Sequence, residues 1–217
     1  MNIGFIFDMD GVIVDNHHYH FKAWEQMCRK YGKALDVDAY RENLNGRTLN
    51  EVVTYIFDEP MTPERTRAIG EEKEAIYRKL YQPYLSPTPG FIQFLNKAGV
   101  AGIPMAVGTS APDVNVRFTL NGLGIIHHFS SILDERAVTK GKPNPEIYQK
   151  CAAAIGLPND RCVVFEDAVS GIRAGKAAGS KVIGLATSHR REELDADLIM
   201  DNFNDISIEQ IRQLIES

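Results

Sequence analysis

The sequence predicts an α/β fold, a parallel sheet covered by helices, with a separate helical block inserted after the first strand. Three observations carry that prediction. Short, continuously apolar runs alternate with segments whose apolar residues recur at helical spacing. The runs lack the alternation of a sheet with one wet face, so they read as strands buried on both sides. Residues 16 to about 81 contain no convincing strand.

The first strand is residues 3–7, Ile-Gly-Phe-Ile-Phe. A helix follows from His20 through Tyr31, and Gly32 suits its end because glycine takes the left-handed conformation that closes helices. Further helices are predicted near residues 37–43, 49–57 and 63–81. Pro83, Pro87, Pro89 and Gly90 then form a stiff return segment. After it the alternation resumes: helix 90–98, strand 103–107, helix 112–121, strand 129–133 and helix 145–155. Strand 162–165, helix 169–178, strand 181–185, a short strand 198–200 and a last helix 208–215 complete the chain. The expected division is a catalytic α/β core of residues 1–15 and 83–217, with a helical cap of residues 16–82 able to close over its catalytic end.

Composition narrows the function. At 217 residues the chain can bury a full core. A net charge of −5 lacks the basic footprint of a nucleic-acid binder, so no nucleic-acid partner is expected. No apolar stretch approaches the ~18 residues that span a membrane, and no basic region precedes the first strand, so neither a membrane partner nor a signal peptide is read. Cys28, Cys151 and Cys162 are odd in number and widely spaced. They fit a reducing, cytoplasmic setting rather than a disulfide framework or zinc knuckle. Neither a Gly-x-x-x-x-Gly-Lys-Ser/Thr loop nor a Gly-x-Gly-x-x-Gly turn occurs.

The chemistry gathers where apolar runs end. Asp8-Met9-Asp10-Gly11 follows the first run, Gly108-Thr109-Ser110 the second, and Glu166-Asp167 the run 162–165. Each pair alone has a plain explanation, as turn, N-cap or helix start. Together they converge, because ligands of open α/β sheets bind outside the carboxyl ends of the strands. Asp8, Asp10, Glu166 and Asp167 then place four carboxylates in one site, which cannot all stay ionised without compensation. One Mg²⁺, which prefers oxygen ligands, supplies two positive charges. Lys142, held in the rigid Lys-Pro-Asn-Pro stretch, is the candidate for a third. A proton on Asp10 balances the remainder, and a phosphate dianion can enter.

These residues, Asp8-Met9-Asp10-Gly11-Val12-Ile13-Val14-Asp15, Thr109-Ser110, Lys142 before Pro143 and Glu166-Asp167, resemble in order the four motifs of the haloacid dehalogenase superfamily. The resemblance covers essentially the whole chain. It implies a Rossmann-like parallel sheet core with an inserted α-helical cap domain. Asp10 is present, which sets the chain apart from the dehalogenase branch and points to phosphoryl transfer. The resemblance implies that Asp8 is the nucleophile and Asp10 the general acid and base. It implies Mg²⁺ held by Asp8, the Asp10 carbonyl oxygen, Glu166 and Asp167, and phosphoryl oxygens held by Thr109, Ser110 and Lys142.

Within the superfamily the chain is most similar to β-phosphoglucomutases and sugar-phosphate phosphatases. The resemblance gives His20, Arg47 and Lys73 of the cap to the substrate. Lys73 also lies among acids at helical spacing, where surface ion pairs are worth ~0.3–0.5 kcal/mol. After Ser110, however, Ala111-Pro112-Asp113 offers no side-chain donor for a second phosphate, and Asp113 is expected to repel one. A phosphatase of small phosphorylated metabolites is therefore placed first and a mutase second. A non-catalytic member that binds phosphorylated ligands comes last, because Asp8, Asp10 and Lys142 are intact. A monomer is expected in preference to an obligate oligomer.

Overall fold

In the computed structural model, which describes residues 2–36, 40 and 48–216, the apolar runs form one sheet. Its strands are β1 Gly4–Phe7, β2 Met105–Gly108, β3 Ser131–Leu133, β4 Cys162–Glu166, β5 Lys181–Leu185 and β6 Leu198–Met200. All pairs are parallel, in the order β3-β2-β1-β4-β5-β6. Every residue of β1, β2 and β4 is buried. That is why these runs carry no polar alternation. Strand β3 starts two residues later than the apolar pattern suggested, because Phe129 closes the 3₁₀ turn Ile126–His128 instead.

The chain runs outward from β1 through β2 to β3, then returns to the far side of β1 for β4. This reversal makes the gap between β1 and β4 the topological switch point, where the carboxyl ends of the strands leave a crevice.

The helices are α1 His17–Lys30, α2 Leu49–Phe57, α3 Pro63–Tyr81, α4 Phe91–Val100, α5 Asp113–Gly122, α6 Glu146–Ala154, α7 Val169–Ala178 and α8 Ile208–Glu216. Contacts divide the chain into one unit of Met1–Asp15 with Leu85–Ser217 and another of Asn16–Tyr84.

In the sheet unit, the two-residue period of a strand sorts side chains between two faces. Phe5, Phe7 and Phe165 share one face, where Phe7 stacks on Phe165 at 4.7 Å and Phe5 on Phe94 of α4 at 5.4 Å. Each fully buried ring stabilises the fold by about 1.5–3 kcal/mol. Ile6 and Val164 turn to the other face, under Ile147, Tyr148 and Cys151 of α6 and Ile172 of α7. Asp8 and Glu166 fall in phase with Ile6 and Val164, so the same alternation sends them toward α6.

In the helical unit, Trp24, Met27 and Cys28 of α1 pack with Val52, Val53 and Ile56 of α2 and Ile69 of α3. Thr48 starts α2 with a capping box: its hydroxyl accepts from Glu51 N, and the Glu51 carboxylate accepts from Thr48 N at 2.8 Å. Thr62 caps α3, with Pro63 in its first turn. The helix anticipated at 37–43 lies outside the described residues apart from Tyr40, and Arg47 lies outside them as well. Among the described residues no helix is long and apolar enough to cross a membrane.

Candidate active site

Register sets three strand ends level. Phe7 pairs with Val107 of β2 and with Phe165 of β4. Asp8 follows β1 beside Glu166, and its backbone N–H donates to Phe165 O at 3.0 Å. Thr109 follows β2, anchored by its N–H on Leu133 O at 3.0 Å. The carboxylates therefore meet at the switch point because the sheet's hydrogen bonds put them there.

Lys142 arrives from the loop before α6. Its ammonium donates to Asp8 Oδ1 at 2.8 Å and to Glu166 Oε1 at 2.5 Å. Its side chain is 9% exposed, and Glu166 and Asp167 are each 1% exposed. Oxygens of Asp8, Glu166 and Asp167 all lie within 4.8 Å of one another. Asp10 sits two residues beyond Asp8, half-buried, and its charge also bears on Asp8.

Charge in this enclosure is out of balance. Burial pushes the Asp8 carboxyl up to about 8; Lys142 opposes the rise, while Glu166, Asp167 and Asp10 add to it. Burial also works against the charge on Lys142, but Asp8 and Glu166 outweigh it and hold the ammonium protonated. Three buried carboxylates thus share one ammonium. With all three ionised the deficit is two positive charges, in an all-oxygen donor set. Both features fit a hard dication such as Mg²⁺.

The remaining predicted residues are placed as follows. The Thr109 hydroxyl is buried and accepts from Ala111 N at 3.1 Å, while Ser110 is exposed at the strand end. Asp113 needs correction as a source of repulsion. It accepts from Arg117 Nε at 3.0 Å and pairs with Arg136 at 3.3 Å, so its charge is compensated. Within the helical unit His20 stacks on Tyr77 at 3.8 Å, and Lys73 Nζ lies 2.7 Å from His20 Nδ1. An ammonium can only donate, so His20 Nδ1 accepts and carries no proton. Lys73 does pair with an acid of its own helix, Glu74, at 2.7 Å, but it is 5% exposed with the Trp24 and Tyr77 rings beside it, so the pair is largely buried rather than on the surface.

Sequence reasoning missed several residues that shape the site. Tyr148 of α6 donates its hydroxyl to Glu166 Oε1 at 2.6 Å. Thr187 and Ser188, after β5, donate to the backbone carbonyls of Gly11 at 2.6 Å and Asp167 at 3.0 Å. They tie the two acidic loops down. Their one available signal was position, since Thr187-Ser188 follows β5 much as Thr109-Ser110 follows β2.

Residues 5–185 match the family model of haloacid dehalogenase-like hydrolases. The chain is 33% identical over 182 residues to the fructose-1-phosphate phosphatase of Escherichia coli K12, covering 84% of this chain and 95% of that one. It is 32% identical over 217 residues to the β-phosphoglucomutase of Bacillus subtilis 168, covering 96% and 93%. Among solved structures it is similar to a family IA, variant 3 HAD hydrolase from Entamoeba histolytica, with a TM-score of 0.94, 29% identity and complete coverage of both chains.

Proposed function

The chain belongs to the haloacid dehalogenase-like hydrolases, and from that premise we propose that it is a Mg²⁺-dependent phosphatase of small phosphorylated metabolites such as sugar phosphates. One observation carries the reading: a buried Asp8 at the switch point, hydrogen-bonded to Lys142 and short of two positive charges.

The Asp8 carboxylate attacks phosphorus; a new P–O bond forms on Asp8 as the ester P–O bond breaks. Asp10 gives its proton to the departing alkoxide. Ionised Asp10 then takes a proton from water, whose oxygen attacks the same phosphorus, and phosphate leaves with Asp8 restored. Thr109, Ser110 and Lys142 bind the phosphoryl oxygens, and Lys142 offsets their charge. Mg²⁺ would be held between Asp8 and Asp167, with the Asp10 carbonyl added by resemblance and Glu166 beside them. When bound, it neutralises charge on the transferring group.

His20, Arg47 and Lys73 of the helical unit are assigned to the substrate on the strength of the resemblance. Arg47→Ala is expected to raise KM for sugar phosphates with kcat little changed. An unaltered KM removes Arg47 from the site. Three buried free thiols, Cys28, Cys151 and Cys162, suit a reducing compartment, the cytoplasm.

A mutase is the second reading. The likeness to the Bacillus subtilis β-phosphoglucomutase supports it. The deciding experiment is a panel of phosphorylated metabolites with phosphate release measured, run beside conversion of β-glucose 1-phosphate to glucose 6-phosphate. Phosphate release supports the phosphatase. Rapid isomerisation without net release replaces it with the mutase, and silence in both assays defeats the catalytic reading.

A further inference from the structure

Glu166 is enclosed on every side. Its Oε1 accepts from Lys142 Nζ at 2.5 Å and from Tyr148 Oη at 2.6 Å. Its Oε2 accepts from the backbone N–H groups of Asp167 and Ala168, each at 3.0 Å. A carboxylate has about four lone-pair sites, and four donors use them. A backbone closes the next side. Gly171 lies in the first turn of α7, and a Cβ built there would overlap both oxygens and the carboxyl carbon of Glu166. Tyr148 is itself fully buried, with the Lys142 ammonium 5.0 Å above its ring.

Resting on the phosphoryl-transfer reading above, we infer that Tyr148 and Gly171 are positioning residues, which lock the Glu166 carboxylate so that it aims the Lys142 ammonium at Asp8. Glu166 is then spent on the lysine and on the turn into α7 rather than on a cation. Glycine at 171 is set by the carboxylate lying against the helix, since any side chain there displaces it.

Two variants test this from opposite sides. Tyr148→Phe keeps the ring and removes the donor. Gly171→Ala pushes the carboxylate aside without substituting any motif residue. With p-nitrophenyl phosphate as probe, each variant is expected to lose about tenfold in kcat, while KM and the calorimetric Mg²⁺ Kd stay within about threefold of wild type. A second readout needs no turnover. In metal-free protein the ¹⁵N-bound protons of the Lys142 ammonium, identified by their loss in Lys142→Met, should be observed in wild type and lost in both variants. Either folded variant keeping the Lys142 signal and wild-type kcat overturns the inference. A Mg²⁺ Kd that weakens in step with kcat also overturns it, because Glu166 would then be holding the ion. A wild type that hydrolyses no ester defeats the functional reading instead, and the ammonium signal still decides the positioning role.

Discussion

Lys142 binds Asp8 and Glu166 at once, and that shared contact decides what its loss costs. Removing one partner of a buried charge pair leaves the others uncompensated. Lys142→Met keeps the length and apolar stem but removes the ammonium. In metal-free buffer at pH 8 it should lower the urea-derived unfolding free energy by about 3 kcal/mol. It should also cut kcat by at least about 100-fold, because the proposed mechanism directs its charge at the transferring phosphoryl group. A variant as stable as wild type would mean that water reaches the site and screens it. Asp8→Asn is the complementary change. It keeps the shape, removes the proposed nucleophile, and should leave circular dichroism unchanged while phosphate release falls below detection. Retained turnover in that variant refutes the nucleophile assignment.

Short elements depend on their ends. Helix α2 has 9 residues, too few to persist alone in water, and the Thr48–Glu51 capping box satisfies donors at its start. Thr48→Ala is expected to cost about 1 kcal/mol in urea unfolding, with catalysis on p-nitrophenyl phosphate unaffected. A loss below a few tenths would show that packing of Val52, Val53 and Ile56 holds the helix without its cap. The same local chemistry explains why so much of the fold was legible in advance. Helices 49–57, 63–81 and 169–178 are bracketed by Thr48, Thr62 and Gly179, each a cap residue in the structure. Strands buried on both faces hold little that is polar along their length, so the first acid or hydroxyl at the end of each apolar run marks the site. Asp8, Thr109 and Glu166 were readable for that reason. Tyr148 was not, because an aromatic residue at helical spacing signals core, and its ring is core. What makes it functional is the aim of one hydroxyl, set by how α6 lies on the sheet. Neutralisation of Asp113 was half readable: Arg117 stands four residues on along α5, whereas Arg136 reaches Asp113 only through the tertiary path of a loop.

The whole molecule's stability should report the same imbalance of charge. Asp8 has an ordinary carboxyl value of 3.8 when unfolded and about 8 in the metal-free fold. Between roughly pH 4 and pH 8 the folded state therefore holds a proton that the unfolded chain releases. Stability must fall as pH rises through that window and flatten above it. This is the reverse of the usual paired carboxylate, because burial outweighs the attraction of Lys142. Mg²⁺ competes with the proton for the same carboxylate, so its apparent affinity should rise with pH across the window and then level off. At one hundred times its Kd, the ion should return about 2.7 kcal/mol. Asp8→Asn cannot ionise, so the difference between the two proteins subtracts every other titrating group. Thermal unfolding of metal-free wild type is expected to drop relative to Asp8→Asn from pH 5 to pH 8, leaving the variant the more stable at pH 8 by about 1–3 kcal/mol. Added Mg²⁺ should close that gap for wild type and do far less for the variant. Parallel pH profiles in the two proteins would show that Asp8 stays ionised without a metal, and the case for a cation deficit at the switch point would fall with it.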